Sequence, residues 1–218
     1  MLGPLLFILF INDIFSVLKK ASIMAYADDK AVIFKGKTWY EVTKIIKTDF
    51  PKLLTWFTNN RLSINMEKTV FIPFGCYKNS LPQINKIKLV TETKTFYLNR
   101  TDDIKYLGII FDSNMKCEQH VNKICNSTRY MPYIFKKLKP YFNIEQLKLI
   151  YYALFLSIAS YGIIAWGGAL WNVMKKLEKL HKNIIKVIFK LERKHSTEDV
   201  FNRCSLFDMK LILGLADH

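Results

Sequence analysis

Two adjacent carboxylates, Asp28 and Asp29, lie between two short apolar segments, and they constrain the fold more than any other feature. Residues 22–27 and 30–34 are rich in the apolar, β-branched and aromatic residues that are typical of strands. Aspartate favours turns and is rarely buried unless it is paired or binds a metal. We therefore predict a β-hairpin with both carboxylates at its turn. Such a hard-oxygen site suits Mg²⁺ and two-metal nucleotidyl transfer, whereas the dipeptide alone is more typical of a polar turn without chemistry.

Four segments, taken in order, resemble motifs of one enzyme family. Tyr26-Ala27-Asp28-Asp29 resembles the Tyr-Xaa-Asp-Asp signature of reverse transcriptases. Residues 2–14 resemble the helix that precedes this hairpin, residues 56–69 the next motif, and residues 106–112 the primer-grip segment. Together they resemble the LINE-like reverse transcriptases of non-LTR retrotransposons, and four ordered segments are far more specific than any single one.

The resemblance implies an α+β fold in two parts. Residues 1–113 would form a partial polymerase palm, with the β-hairpin and a small antiparallel sheet packed against helices. Residues 114–218 would form an all-α, thumb-like domain. The implied activity is RNA-directed DNA synthesis from an RNA template, a DNA primer and deoxynucleoside triphosphates. The expected location, inside the cell in the nucleus or the cytoplasm, rests on the cysteine pattern described below.

In this family two Mg²⁺ ions are held by three carboxylates. Asp28 matches the stronger ligand, and Asp29 a weaker or supporting one. The third carboxylate and the nucleotide-binding fingers precede the hairpin in the family, and no matching residues are found before it here. We therefore expect the chain alone to bind nucleic acid weakly and to polymerise poorly.

The resemblance also assigns residues to the primer and to the nucleotide. Lys68 matches a lysine near the incoming nucleotide, where its ammonium would offset triphosphate charge or protonate the leaving pyrophosphate. A solvated surface lysine is the other interpretation. The residues expected beside the primer terminus or positioning its end are Tyr26, Ala27, Tyr106, Leu107 and Gly108.

The chain is strongly basic, with 33 lysines and arginines against 18 acidic residues and a net charge of +15. This balance favours a polyanionic partner such as nucleic acid, with an anionic membrane surface as the competing interpretation. Apolar residues at helical spacing over 173–191 predict a basic amphipathic helix. Its lysines form either a solvated face or a surface for the nucleic-acid backbone. They are Lys175, Lys176, Lys179, Lys182, Lys186 and Lys190.

Two other classes of protein have to be considered. Residues 149–174 contain no charged residue and are long enough to span a bilayer, so a membrane-anchored basic protein is one alternative. Glycines and tyrosines within the segment favour a buried helix followed by a turn. A nucleic-acid-binding protein that retains the fold without catalysis is the second alternative.

The cysteines show no Cys-Xaa-Xaa-Cys pair, which indicates reduced thiols. Cys117, His120 and Cys125, with Cys204 or His181, are candidate zinc ligands, but their spacing matches no standard zinc site.

The remaining patterns predict particular elements. A helix from Gly3 towards Lys20 is apolar on every side and should be buried. A helix over 40–59 should be kinked or split at Pro51, with Asp49 capping its second part. The further expected elements are strands at 69–74 and 104–111, a hairpin around 91–94, one or two helices over 114–138, a helix from a capping box at Asn143 to Ile164, and short helices after 196 and over 205–216.

Overall fold

The protein is described here from a computed structural model, which covers residues 2–75, 81–91 and 94–191. The chain divides into two compact units between Leu107 and Gly108. Helices and small sheets together confirm the α+β class. The assignment of residues 1–113 to a palm and of 114–218 to a thumb stays a prediction.

The first unit is built from two small sheets and a long helix. Its elements are α1 (Gly3–Ile11), a 3₁₀ turn (Asn12–Ser16), β1 (Ala21–Tyr26), β2 (Asp29–Phe34), α2 (Trp39–Asn59), β3 (Val70–Phe71), β4 (Lys86–Val90), β5 (Thr95–Arg100) and β6 (Asp103–Tyr106). β1 pairs antiparallel with β2. β4 and β5 form the hairpin predicted around residues 91–94, and β3 runs parallel beside β5. The strand predicted at 69–74 is shorter than expected, because Pro73 has no backbone N–H for a ladder.

The prediction that Pro51 splits the second helix is wrong, because α2 continues through it. A kink at Pro51 stays a prediction. The apolar residues of α2, including Ile46, Phe50 and Leu53, lie on one face and pack in the first unit's core. We attribute the continuity to this shared face, since burial of several large side chains outweighs the hydrogen bond lost at proline. Asp49 is therefore not a cap: it is a buried residue inside the helix, with its carboxylate 2.6 Å from the Lys52 ammonium.

The prediction that the first helix is buried is also wrong. In α1 only Ile11 is buried, whereas Leu5, Ile8 and Leu9 are more than half exposed. Ile14 and Leu18, which follow α1, do reach the core. A helix that is apolar all round needs neighbours on every side. Among the described residues of the first unit, the core meets α1 only at its C-terminal end, so most of its apolar surface faces outward.

The second unit begins with a short strand and is otherwise helical. Its elements are β7 (Ile109–Asp112), α3 (Glu118–Thr128), α4 (Met131–Leu138), α5 (Ile144–Tyr151), a π-helical turn (Tyr152–Leu156), α6 (Ser157–Ser160), α7 (Ile163–Trp166) and α8 (Trp171–Ile188). The single strand predicted over 104–111 is instead two strands, β6 and β7, because Leu107 and Gly108 have left-handed φ values of +46° and +85°. The capping box at Asn143 and Gln146 is confirmed.

The helix predicted from Asn143 to Ile164, which includes much of the uncharged segment 149–174, does not form as one long helix. A π-helical turn interrupts it, and Tyr161 and Gly162 end it, with Gly162 at φ +62°. No helix in the part of the chain that the structure describes is long and apolar enough to cross a bilayer. The helices predicted after residue 196 and over 205–216 lie outside the described residues.

The core of the second unit contains a polar pair that the sequence pattern did not reveal. The Tyr151 hydroxyl and Nε2 of His181 are 2.6 Å apart, and the His181 ring stacks on Tyr151 and Phe155. Burial lowers the pKa of His181 to about 3, with a smaller contribution from Lys182, and burial raises the pKa of Tyr151. The imidazole is therefore neutral at physiological pH and serves as a core residue.

Candidate functional site

The hairpin of β1 and β2 carries the predicted carboxylates at its tip. Tyr26 pairs with Asp29, so the loop between the strands contains only Ala27 and Asp28. Tyr26, Asp28 and Asp29 are all exposed. The register thus places one carboxylate in the loop and the next at the first position of β2.

The tight turn places Ala27 in an unfavourable backbone conformation. Its φ is +50°, in the left-handed region that L-residues other than glycine, asparagine and aspartate rarely enter. Two-residue hairpin loops need a positive φ at one or both central positions, and glycine usually supplies it. An alanine here is strained, and the strain lies directly beside the two carboxylates.

The two faces of the hairpin differ in character. Residues directly opposite in an antiparallel pair share one face. Ile23 and Val32 form such a pair and pack against the core of the first unit. Ala25 and Lys30 form the next pair towards the tip on that same face. Lys30 is therefore a cation on the inward side of the sheet.

Three groups surround the Lys30 ammonium. It donates to the backbone carbonyl oxygen of Asp28 at 3.4 Å, and it lies 6.0 Å and 5.8 Å from the ring centroids of Phe7 and Phe57. Burial lowers the pKa of Lys30, while the charges of Asp28 and Asp29 act in the opposite direction. Sequence reasoning missed this residue. The signal available to it was a lysine in phase with the apolar residues of β2.

The two carboxylates at the tip fit a Mg²⁺ ion that is also bound by the phosphates of a nucleotide. Mg²⁺ commonly takes one or two protein carboxylates and completes its octahedron with water and substrate phosphates. Asp28 and Asp29 are exposed and provide that number of carboxylates. In residues 2–75, 81–91 and 94–191, no group of three or more His, Cys, Asp or Glu side chains is arranged to hold a metal.

The candidate zinc ligands do not form such a group either. Nδ1 of His120 accepts the Ile110 N–H at 3.3 Å, and burial raises the pKa of both Cys117 and Cys125. Cys204 lies outside the described residues.

Lys68 lies in a turn before β3. Its backbone N–H and that of Glu67 donate to the Asn65 side-chain oxygen, at 3.2 Å and 3.1 Å. The Lys68 side chain is exposed. These bonds fix its backbone, and its predicted role at the nucleotide stays a prediction.

The predicted primer segment forms a turn. Tyr106 ends β6, Leu107 follows it at the end of the first unit, and Gly108 opens the second unit. A Cβ atom on Gly108 would lie 3.3 Å from the Tyr161 ring, so the glycine permits a close approach to that side chain. A cavity of about 280 Å³ in the second unit is lined by Gly108 and Tyr161 together with His120 and Lys123.

Five of the six predicted backbone-binding lysines lie on α8, whose opposite face is buried through Val173, Leu177 and Ile184. Lys175, Lys176 and Lys179 are exposed, and Lys175 lies 5.5 Å from the centroid of the Trp171 ring. Two of the lysines contact neighbouring polar side chains. The Lys182 ammonium is 2.7 Å from Glu178, and that of Lys176 is 3.4 Å from Asn122. Lys190 lies beyond the end of α8, at φ +57°, and Lys186 is half-buried.

Comparison with known proteins gives consistent matches. A family model described as reverse transcriptase (RNA-dependent DNA polymerase) matches residues 1–111. The chain is 22% identical over 197 residues to a probable RNA-directed DNA polymerase from transposon BS of Drosophila melanogaster, covering 86% of this chain and 21% of that protein. It is 29% identical over 124 residues to a retrovirus-related Pol polyprotein from type-1 retrotransposable element R1 2 of Nasonia vitripennis.

The second match covers 55% of this chain and 29% of the Nasonia protein. The chain thus spans less than a third of the length of either relative. No solved structure matches the chain significantly.

Proposed function

Because the chain belongs to the reverse transcriptase (RNA-dependent DNA polymerase) family, and resembles its LINE-like members from non-LTR retrotransposons, we propose that the tip of its first hairpin is the metal-binding part of a nucleotidyl-transfer site. One observation carries this proposal. The register of β1 and β2 leaves Asp28 exposed in the two-residue loop and Asp29 exposed at the first position of β2, with Tyr26 directly opposite Asp29. The substrates of the complete activity would be an RNA template, a DNA primer and deoxynucleoside triphosphates.

Each residue of the tip has a separate role in this proposal. Asp28, in the loop, is the principal ligand, and Asp29, fixed at the start of β2, is the supporting one. When bound, Mg²⁺ supplies the Lewis acid for attack of a primer hydroxyl on a nucleotide phosphate. Tyr26 and Ala27 border the primer terminus. Lys68 has the charge to offset that of the triphosphate or to donate a proton to the leaving group.

The exposed lysines of α8 would bind the nucleic-acid backbone. Lys175 and Lys179 are one helical turn apart, so their ammonium groups lie on the same face. Such contacts are independent of base sequence and weaken as salt rises, because each neutralised phosphate releases a counterion. Tyr106, Leu107 and Gly108 would position the primer end.

We propose that this chain alone binds nucleic acid but extends a primer poorly. The family's chemistry uses three carboxylates, and among the described residues only two lie at the tip. The same observation supports a second candidate function, a nucleic-acid-binding protein without catalysis. In that case replacement of Asp28 and Asp29 leaves every activity of the chain unchanged.

Two measurements on the 218-residue chain test these proposals. The first is Mn²⁺ binding, followed by the loss of the free-ion electron paramagnetic resonance signal, because Mn²⁺ replaces Mg²⁺ in oxygen sites. Asp28→Asn combined with Asp29→Asn should abolish it, and unchanged binding would leave only the second candidate. The second is primer extension on an RNA template with Mg²⁺. Efficient extension that Asp28→Ala abolishes would confirm the site and show that the chain is self-sufficient.

A further inference from the structure

The position of Lys30 is unusual for a lysine. It lies on the core-facing side of the hairpin, in phase with Val32 and Phe34, where its neighbours along the face are apolar. Lysine is rarely placed on such a face, because removal of an ammonium from water is unfavourable unless other groups compensate. The small side chain of Ala25, directly opposite, leaves space for the lysine stem.

The compensation comes from the tip and from two aromatic rings. The Asp28 carbonyl oxygen accepts from the ammonium at 3.4 Å, and the rings of Phe7 and Phe57 approach it at 6.0 Å and 5.8 Å. Both distances are within the range of cation–π attraction. α1 therefore contributes the Phe7 ring and α2 the Phe57 ring, so the surroundings of the Lys30 ammonium come from three elements and not from the hairpin alone.

The ammonium lies close to the carboxylates without pairing with them. The charges of both Asp28 and Asp29 act on Lys30, yet no ion pair joins its ammonium to either carboxylate within the described residues. A direct ion pair would occupy the oxygen lone pairs that a metal needs. A cation held a short distance away leaves these lone pairs open and still lowers the local negative potential.

We propose that Lys30 is the resident countercharge of the carboxylate pair: it balances part of their charge before any ligand binds, and it thereby weakens the binding of a free divalent cation. The inference rests on the proposed function, because it takes Asp28 and Asp29 as metal ligands. A tip that holds a bare ion weakly favours an ion that arrives with the phosphates of a nucleotide, whose negative charge the same lysine attracts. Lys30 is a positioning residue in this proposal, since it acts through the carboxylates.

Mn²⁺ affinity in the absence of nucleotide is the direct test. Lys30→Met removes the charge and keeps the length of the side chain, and it should tighten Mn²⁺ binding about fivefold, as expected for loss of one nearby positive charge. Lys30→Arg keeps the charge and should bind as the unchanged chain does. Lys35→Met is the matched control. It removes one charge just beyond the other end of β2, about 17 Å away by the rise of a strand, and should have little effect.

The outcomes separate this inference from the proposed function. If Asp28→Asn with Asp29→Asn abolishes Mn²⁺ binding but Lys30→Met binds no more tightly than Lys35→Met, the metal site stands and the countercharge is disproved. Equal tightening by Lys30→Met and Lys30→Arg would also disprove it, because the charge would then not be the cause. If the double Asn variant made on Lys30→Met still binds Mn²⁺ as tightly as Lys30→Met itself, the proposed function fails, and the inference fails with it.

A nucleotide titration gives the second readout. With Mn²⁺ present, Lys30→Met should bind a deoxynucleoside triphosphate more weakly than Lys35→Met, although it binds the free ion more strongly. Circular dichroism verifies that each variant keeps its helices. If Lys30→Met binds both the free Mn²⁺ ion and the deoxynucleoside triphosphate more tightly, the proposed balance of charge is contradicted.

Discussion

The indole N–H of Trp56 donates to the carboxylate of Asp13 at 3.2 Å, across 43 positions of the sequence. Trp56 lies near the end of α2, and Asp13 lies in the 3₁₀ turn that follows α1. The bond therefore connects the segment that precedes β1 to α2. It also holds the segment from which Phe57 reaches Lys30.

Loss of this bond should destabilise the first unit. Trp56→Phe keeps an aromatic ring and removes the donor, so we expect the free energy of unfolding to fall by about 1 kcal/mol. Urea unfolding monitored by circular dichroism measures the change. Asp13→Asn keeps an acceptor and should cost less. Asp13→Ala removes the acceptor, and a Trp56→Phe, Asp13→Ala double variant whose loss equals the sum of the two single losses would show that the two side chains do not interact.

Strain at Ala27 predicts opposite effects for two neighbouring alanines. Ala27→Gly relieves a left-handed φ in the loop, and we expect stabilisation by about 0.5 kcal/mol after the extra entropy of unfolded glycine is subtracted. Ala25→Gly, in the regular part of β1, should destabilise by about 0.5–1 kcal/mol. The comparison of denaturation midpoints is decisive, since effects of equal sign would mean that Ala27 is unstrained.

The exposed lysines of α8 should govern the salt dependence of nucleic-acid binding. Lys175→Met with Lys179→Met should reduce the slope of log affinity against log salt concentration by about 1 per lysine, if both contact phosphates. Lys44→Met with Lys47→Met, on exposed positions of α2, removes the same net charge and is the control. Fluorescence anisotropy with a labelled primer–template measures both. Equal slopes for the two pairs would show that net charge alone attracts the nucleic acid.

The buried Tyr151–His181 pair makes the stability of the second unit depend on pH. Above its ordinary pKa of 6.5, His181 is neutral in both folded and unfolded chains. Below pH 6.5 His181 becomes protonated in the unfolded chain, whereas in the folded chain it stays neutral down to about pH 3. Stability should therefore fall through this window, by up to about 1.4 kcal/mol per pH unit from this group.

His181→Gln keeps a hydrogen-bonding side chain that does not titrate and should flatten this dependence. Urea unfolding at pH 7, 6, 5 and 4 measures it. A further contribution comes from His120, whose pKa burial also lowers, so the slope is expected to decrease rather than to vanish. An unchanged slope in His181→Gln would contradict a neutral buried imidazole.

Gly162 should be the most sensitive glycine of the second unit. It has φ +62°, and a Cβ atom there would overlap Cδ1 of Ile109. Gly162→Ala combines backbone strain with a clash, so we expect destabilisation by about 2–4 kcal/mol. Gly168→Ala is the control, because a Cβ atom at that position meets nothing within 4 Å. Comparable losses in thermal unfolding for the two variants would contradict the packing described here.

Features that depend on neighbouring residues, such as the first hairpin, could be predicted from the sequence. Features that depend on packing between distant residues could not. The carboxylate turn, the capping box at Asn143 and the β4–β5 hairpin each depend on a few neighbouring residues, and sequence reasoning placed them correctly. The continuity of α2 through Pro51 depends on a whole buried face, which a local proline rule ignores. The exposure of α1 depends on which elements surround it, and hydropathy records only the side chains themselves.

The candidate site shows the same division. Asp28 and Asp29 could be found from a motif, because adjacent carboxylates between strands are visible in the sequence. The phase of Lys30 with Val32 and Phe34 is visible in the sequence, but the approach of Phe7 and Phe57 to its ammonium is not. The Tyr151–His181 bond joins residues 30 positions apart and required the packing of α5 against α8.

The pairing register of β1 and β2 implies that the fold of the hairpin tolerates a substitution at the tip far better than a change in the length of a strand. Side chains alternate between faces along a strand, so one residue inserted between Lys30 and Ala31 would turn Val32 and Phe34 away from the core. Single replacements at the tip alter one group and leave this pattern intact. In a gene that accumulates mutations, a three-nucleotide insertion within β2 would therefore destroy the site sooner than most missense changes, although the reading frame would survive.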